Sequence, residues 1–213
     1  MSTEFSDRLL HKYWKQYERY GATPKGSFWA SKYRQELRFQ IILDEINKIS
    51  ASIVKNVADV GCGYGALATY IQSKHNFQNY RYEGYDICPG LIKSCKATLH
   101  YQNAQFFLGE YPLFKVSFTV MSGTYNLTAT RDLGAWESYL FTCLKKCWDK
   151  TSQAMIFNLQ IDKRARISEN NIYFSEKDNV LQKCVSYFGP TRIVLNEGVP
   201  NDATFTVMKR QIV

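Results

Sequence analysis

The chain has 213 residues, a formal net charge of +8 and an aromatic content of 15%. That length suits one globular domain with a sizeable core, and no apolar run approaches the roughly 20 residues of a membrane-spanning helix. The start, Met-Ser-Thr-Glu-Phe-Ser-Asp-Arg, lacks the basic-then-apolar layout of a secretory signal, so a cytoplasmic protein without membrane contact is expected. The charge admits an anionic partner without choosing one, because Lys and Arg are spread along the chain. Their densest run, Asp162-Lys-Arg-Ala-Arg166, reads as a solvated loop. None of the six cysteines forms a C-x-x-C pair. Cys143 and Cys147 share a helical face at i, i+4, which packs a core more readily than it holds a metal, so no metal is expected. The sequon Asn126-Leu-Thr128 has no role in a cytoplasmic protein.

Two helices are predicted first. Ser6 or Asp7 caps one, Leu9, Leu10, Tyr13, Trp14 and Tyr17 fall at helical spacing, and Gly21 ends it. A Pro- and Gly-containing loop over 22–29 follows. Ser31 then caps a second helix that turns Leu37, Ile41, Ile42, Ile46 and Ile49 inward. Residues 57–65, Val-Ala-Asp-Val-Gly-Cys-Gly-Tyr-Gly, are the most informative stretch: a buried strand running into three alternating glycines. Beyond it, strands are expected at 81–86, 104–109, 116–122 and 154–160, with helices near 66–74, 89–100, 133–149 and 176–188. This alternation argues for a parallel sheet covered on both faces. The segments 191–197 and 204–210 flank Gly198-Val-Pro-Asn-Asp202 and read as an antiparallel hairpin closing the sheet. Residues 110–115 are too few for a helical crossover, so that link is expected to be extended. A single domain follows, with residues 1–50 as a helical cap and 51–213 as the α/β core.

A glycine turn between a strand and a helix suits a nucleotide-type ligand lying against bare backbone. Gly61-x-Gly63-x-x-Ala66 fits the dinucleotide fingerprint, and Asp86 follows Gly65 by 21 residues, as a ribose-binding acid would. Asp59 weighs against a dinucleotide, because a carboxylate beside the turn repels a pyrophosphate. It suits S-adenosylmethionine, whose ammonium and sulfonium are cationic.

On these residues the chain resembles the class I S-adenosylmethionine-dependent methyltransferases. Their first motif matches Asp59-Val-Gly61-Cys-Gly63-Tyr-Gly65, and the acid ending their second strand matches Asp86 in Tyr82-Glu-Gly-Tyr-Asp86. Gly109-Glu110 after Phe106-Phe-Leu108 is a weaker third match. The resemblance covers about residues 35–210. It implies a Rossmann-like three-layer α/β sandwich: a mostly parallel seven-stranded sheet with an antiparallel C-terminal strand, the N-terminal helices added. It implies S-adenosylmethionine as cofactor, with S-adenosylhomocysteine as product. The implied cofactor residues in the first motif are Asp59, Gly61, Cys62, Gly63, Tyr64 and Gly65. Asp86 with Ile87 would meet the ribose, Glu110 the adenine, and Ser122 completes the set.

The chain departs from the pattern where the helix between the third and fourth strands is nearly missing. The fourth strand also ends in Met121-Ser-Gly-Thr-Tyr-Asn126, without an acid or an Asn/Asp-Pro-Pro-Tyr box, and no Pro-Cys nucleophile occurs. Base methylation of nucleic acid therefore loses ground, and a small-molecule O, N or C acceptor is expected. A protein or RNA acceptor, a silent cofactor-binding module and, more remotely, a nicotinamide enzyme remain alternatives.

No catalytic residue is assigned. The histidines His11, His75 and His100 are candidate bases, and Ser122, Thr124, Tyr125, Asn126, Asn158 and Gln160 sit at strand ends where ligands bind in such sheets. Tyr13, Tyr17, Trp29, Tyr125 and Asn126 are the substrate candidates. Trp14, Tyr20, Phe28 and Tyr33 enlarge an aromatic N-terminal lid. Arg38 or Lys32 is a candidate for the cofactor's carboxylate, and loop 161–175 for a substrate wall. The sequence leaves the oligomeric state open.

Overall fold

A computed structural model describes residues 2–29, 31–74 and 77–209. The N-terminal segment forms α1 (Ser2–Tyr20), a single 3-10 turn (Lys25–Ser27) and α2 (Lys32–Ile49). The core follows as β1 (Lys55–Val60), α3 (Ala66–Lys74), β2 (Tyr80–Asp86), α4 (Pro89–Thr98), β3 (Ala104–Leu108) and β4 (Val116–Met121). Then come α5 (Leu133–Lys150), β5 (Thr151–Gln160), β6 (Arg166–Ile167), β7 (Tyr173–Phe174), α6 (Lys177–Tyr187), β8 (Thr191–Leu195) and β9 (Asp202–Met208).

Seven strands form one sheet in the order β3-β2-β1-β4-β5-β9-β8. Pairings from β3 to β5 are parallel, and β9 runs antiparallel to both neighbours. The chain order reverses between β1 and β4, and ligands of such sheets bind at that switch point, outside the carboxyl ends of the strands.

Alternation along the strands feeds two separate cores. Val57, Phe118 and Ile156 face α2, α3 and α4, packing with Ile42, Ile46, Leu67 and Ile71. Ala58, Met155, Phe157 and Phe205 face the opposite way, toward α1, α5 and α6. The α2 side of β9 is polar yet buried. Arg38 donates to Asp202 in a fork of 2.6–2.9 Å, and Glu45 accepts from Thr206 and Arg192. These bonds fasten α2 across the sheet, and burial without them would be costly.

Ser31 caps α2, its hydroxyl accepting from the Arg34 amide. The first helix starts at Ser2 rather than at a Ser6 or Asp7 cap; Ser6 is a buried position whose hydroxyl meets Tyr139 at 3.2 Å. Phe5 and Leu9 enter the core, whereas Trp14 stays 39% exposed and bonds to Glu18. The link between β3 and β4 is extended, as its length requires. The Leu113 amide donates to the Tyr85 hydroxyl, which donates to Glu83. Loop 161–175 contains the two-stranded ribbon β6–β7, whose two-residue strands are too short to give a sequence signal.

Candidate cofactor and acceptor site

The glycine turn leaves β1 at Gly61, with φ +78°; a Cβ there would stand 2.6 Å from Thr124 Oγ1. Glycine is therefore required by backbone angle and by contact. The amides of Gly61 and Cys62 both donate to the Tyr85 carbonyl at 2.7 and 3.0 Å, tying the turn to β2. Gly63, at φ +57°, donates its amide to Asp86 Oδ2 at 2.9 Å, while Oδ1 accepts from the Cys88 amide at 2.8 Å. Asp86 is thus held at a fixed angle beside the turn. Burial raises its carboxyl above the ordinary range, although these backbone bonds pull it down.

Asp59 on β1 is 2% exposed and accepts from the Tyr82 hydroxyl. Burial pushes its carboxyl up to about 7, opposed by the Tyr82 bond and reinforced by nearby Asp86. Two buried carboxylates beside bare backbone favour cationic and hydroxyl-bearing ligand groups and repel phosphates.

These groups form one end of a cavity of about 610 Å³. Asp59, Gly61, Cys62, Gly63, Tyr64, Asp86, Ile87, Glu110 and Ser122 all line it. Gly65 does not. A Cβ there would strike Leu99 at 2.3 Å, with Cys95 and Phe106 next, so this glycine packs the turn against α4.

The other end is assembled from distant segments. Phe28 and Trp29 of the loop, and Arg34, Gln35 and Arg38 of α2 form one wall, with Tyr13 of α1 reaching close enough to Asp86 to feel its charge. Tyr125, Asn126, Gln160, Asn170 and Ile172 form the facing one. Phe28 sits at φ +60°, unusual for a bulky residue, with its ring edge-on to Tyr13 at 5.3 Å. The Arg38 guanidinium lies 4.9 Å from the Trp29 ring, so the ion pair with Asp202 also braces the loop. Tyr64 donates to Gln35 at 2.8 Å, joining the turn to α2.

The facing wall is held just as tightly. Gly123 donates to Asn158 Oδ1 at 2.7 Å, and Thr124 donates to the Val60 carbonyl at 2.7 Å. Asn126 accepts from the Gln160 amide at 3.1 Å, while its carbonyl accepts from the Tyr173 amide. Through that last bond loop 161–175 is hung on the end of β4.

Several expectations are corrected by these positions. Tyr17 is not in the cavity; its ring lies against Gly90 and its hydroxyl is 3.1 Å from Ser94, because that face of α1 packs on α4. Trp14, Tyr20 and Tyr33 also lie outside it, leaving Tyr13, Phe28 and Trp29 as the aromatic wall. Lys32 is exposed and pairs with Glu36 at 3.6 Å. Asn158 supports Gly123 from behind. His11 belongs to a shallow depression with Trp14 and Pro89, His100 is exposed at the end of α4, and His75 lies outside the described residues. No described histidine lines the cavity. Its phenols at Tyr13, Tyr64 and Tyr125 are all raised, first by burial, so near neutral pH they are hydrogen-bond donors rather than bases.

Arg34, Gln35 and Tyr139 line the cavity without having been singled out in the sequence, and so does Cys143, which the sequence assigned to core packing. A signal did exist for the first two. They precede Arg38 by about one turn, on the same face of α2.

No family model matches the sequence, and no curated protein matches it. Solved structures do match in shape. A methyltransferase dependent on S-adenosylmethionine from Leishmania major superposes with a TM-score of 0.69 at 13% identity, over 94% of this chain and 82% of that one. Magnesium protoporphyrin IX methyltransferase from Synechocystis, with S-adenosylmethionine bound, gives 0.56 at 11% identity over 83% and 80%. Human N-acetylserotonin methyltransferase, also with that cofactor, gives 0.53 at 16% over 94% of this chain and 65% of that one. With this strand order and these structural neighbours, the chain has the class I S-adenosylmethionine-dependent methyltransferase fold.

Proposed function

We propose that the protein is an S-adenosylmethionine-dependent methyltransferase acting on a small-molecule acceptor. The observation that carries this reading is the single cavity joining the acid-and-glycine end to the aromatic wall. A volume of about 610 Å³ lies within the ~300–1,000 Å³ usual for small-ligand sites.

The residues present fit the cofactor. Asp86 is fixed by two amides and keeps lone pairs for a ribose diol, and Asp59 supplies opposite charge for the ammonium and sulfonium. Glu110 lines the same cavity and would receive the adenine amino group, and the turn contributes Gly61 and Gly63 to the same lining. Ser122 Oγ is a buried hydroxyl of the lining that lacks a protein partner, as a ligand contact would be before binding. When bound, the cofactor supplies a methyl group on a leaving thioether that needs no acid.

The chain's own work is then placement and exclusion of water. Trp29, Phe28 and Tyr13 close the acceptor end with apolar surface, and the Gln160 and Asn126 side chains orient the acceptor by hydrogen bonding. Holding two reactants in line can supply about 7–11 kcal/mol of the barrier.

Calorimetric titration with S-adenosylhomocysteine and with NAD tests the cofactor, and only the former is expected to bind. Incubation of cell extract with a donor carrying a labelled methyl group tests the acceptor. Label in the low-mass fraction supports the reading, and label confined to protein or RNA overturns the small-molecule part of it.

A further inference from the structure

The loop between β3 and β4 carries an exposed apolar surface that the methyl-transfer reading does not use. Tyr111, Leu113 and Phe114 are 36%, 50% and 57% exposed. The underlying layer is rigid: Phe114 packs edge-on against Phe107 at 6.3 Å, and Phe107 stacks on Tyr85 at 5.2 Å. The side chains therefore project from a fixed ledge, in the place where a crossover helix would otherwise cover the sheet.

Lysines surround this ledge. Lys115 follows Phe114 directly, Lys146 stands 5.1 Å from the Tyr111 ring, and Lys150 donates to the Leu113 carbonyl at 3.1 Å. Lys209 lies over the Trp148 ring at 3.7 Å, near enough to Lys115 and Lys145 that both, after burial, help lower its pKa. Three acids lie near: Asp149 is paired with Lys145, Glu83 accepts from the Tyr85 hydroxyl beneath the ledge, and Glu110 precedes Tyr111 and lines the cavity.

We propose that this ledge docks the protein on an anionic phospholipid surface, with Leu113 and Phe114 entering the headgroup boundary and Lys115, Lys146 and Lys150 meeting lipid phosphates and carboxylates. Apolar tips ringed by lysines match that chemistry on both counts: lysine stems tolerate the boundary, and each ammonium near an anionic leaflet adds to binding. A second copy of the chain fits poorly, since it brings the same basic face and a charge of +8. Nucleic acid fits less well than lipid, because aliphatic Leu113 gains nothing from base stacking and Lys146 already faces the Tyr111 ring. No described helix is long and apolar enough to cross a membrane. Lying on one requires no such helix.

Co-sedimentation of the full chain with phosphatidylcholine vesicles, with and without phosphatidylserine, tests this. Binding is expected only to the anionic vesicles. The pairs Leu113→Ser with Phe114→Ser, and Lys115→Glu with Lys146→Glu, should each weaken it by about tenfold or more. The distant pair Lys163→Glu with Arg164→Glu should weaken it much less, and affinity for S-adenosylhomocysteine should stay unchanged throughout. No binding to either vesicle overturns the proposal. So does an equal loss in the distant pair, which means diffuse electrostatics, and so does retention of a single-stranded RNA without retention of vesicles. All four proteins should melt within a few degrees of one another, since Lys146 is half-buried and every other altered side chain is exposed.

Discussion

The two ends of the cavity are made in opposite ways. The acid-and-glycine end comes from residues 59–65 and 86–88, two strand ends that are neighbours in one sheet, and is fixed by backbone amides donating to Asp86 and to the Tyr85 carbonyl. The aromatic end joins α1, the 24–29 loop, α2, the turn after β4 and loop 161–175, and is fixed across long sequence separations, mostly by side chains, with backbone bonds only between the turn after β4 and loop 161–175. Arg38 reaches Asp202, Tyr64 reaches Gln35 and Tyr139 reaches Ser6. Backbone-determined geometry survives most side-chain changes. Geometry borrowed from tertiary contacts fails when one partner is lost, so the two ends should respond differently to mutation.

The largest contrast is expected at Arg38. Arg38→Met leaves Asp202 buried and unpaired, which should cost about 3–5 kcal/mol of stability by denaturant unfolding. Adding Asp202→Leu should restore most of it, because a well-packed apolar pair is often as good as a buried ion pair. If the single variant unfolds like the wild type, α2 is held by its apolar face alone and the tertiary account of this end is wrong.

Asp86→Ala comes next. Removing a carboxylate that accepts from two amides and is placed to meet a diol should weaken S-adenosylhomocysteine binding by about 2–3 kcal/mol, roughly 30- to 150-fold. The fold should remain, since the Tyr85 carbonyl still anchors the turn. Trp29→Ala tests the opposite end with a smaller expected loss, about 1–2 kcal/mol in kcat/KM for the acceptor. Its affinity for S-adenosylhomocysteine should change little. Equal losses of donor affinity in both variants would mean that the two ends form one binding site rather than two.

The same contrast decides what the sequence could reveal. The turn at 59–65 is legible because its backbone requirements are local: Gly61 needs positive φ, and Asp86 ends the strand paired in parallel beside it, although the contact of Gly61 with Thr124 leaves no trace in the sequence. The parallel sheet with its antiparallel closing pair is legible from strand and helix spacing, its seven-stranded form through the family resemblance, and its short third crossover from a simple residue count. The aromatic wall is only half legible. Tyr13 and Tyr17 are one turn apart on α1, and composition cannot say that Tyr17 packs on Gly90 while Tyr13 reaches the cavity. Gly65 shows the limit even within a motif: its φ of +78° fits the pattern, yet it serves packing against Leu99. Gln35 and Arg34 go unnoticed because polar residues on a helix read by default as a solvated face.

Asp59 offers the effect with the sharpest sign. In the ligand-free protein burial raises its carboxyl to about 7, whereas in the unfolded chain it titrates near ~3.9. Between these values the folded state holds a proton that the unfolded chain has released, so ligand-free stability should fall as pH rises through that window. Binding of a cationic donor runs the other way, because the bound charge favours the carboxylate. Affinity for S-adenosylmethionine should therefore increase with pH up to about 7 and then level off, weakening by as much as tenfold per unit below it. Asp59→Asn keeps an acceptor for the Tyr82 hydroxyl and removes the titration. It should bind the donor more weakly with a flat pH profile, yet melt higher than the wild type above neutral pH, since it no longer buries a charge. Calorimetry at several pH values beside thermal melts separates these outcomes. If the slope persists in the Asn variant, another group titrates against the donor, and the assignment of Asp59 as the counter-charge is lost.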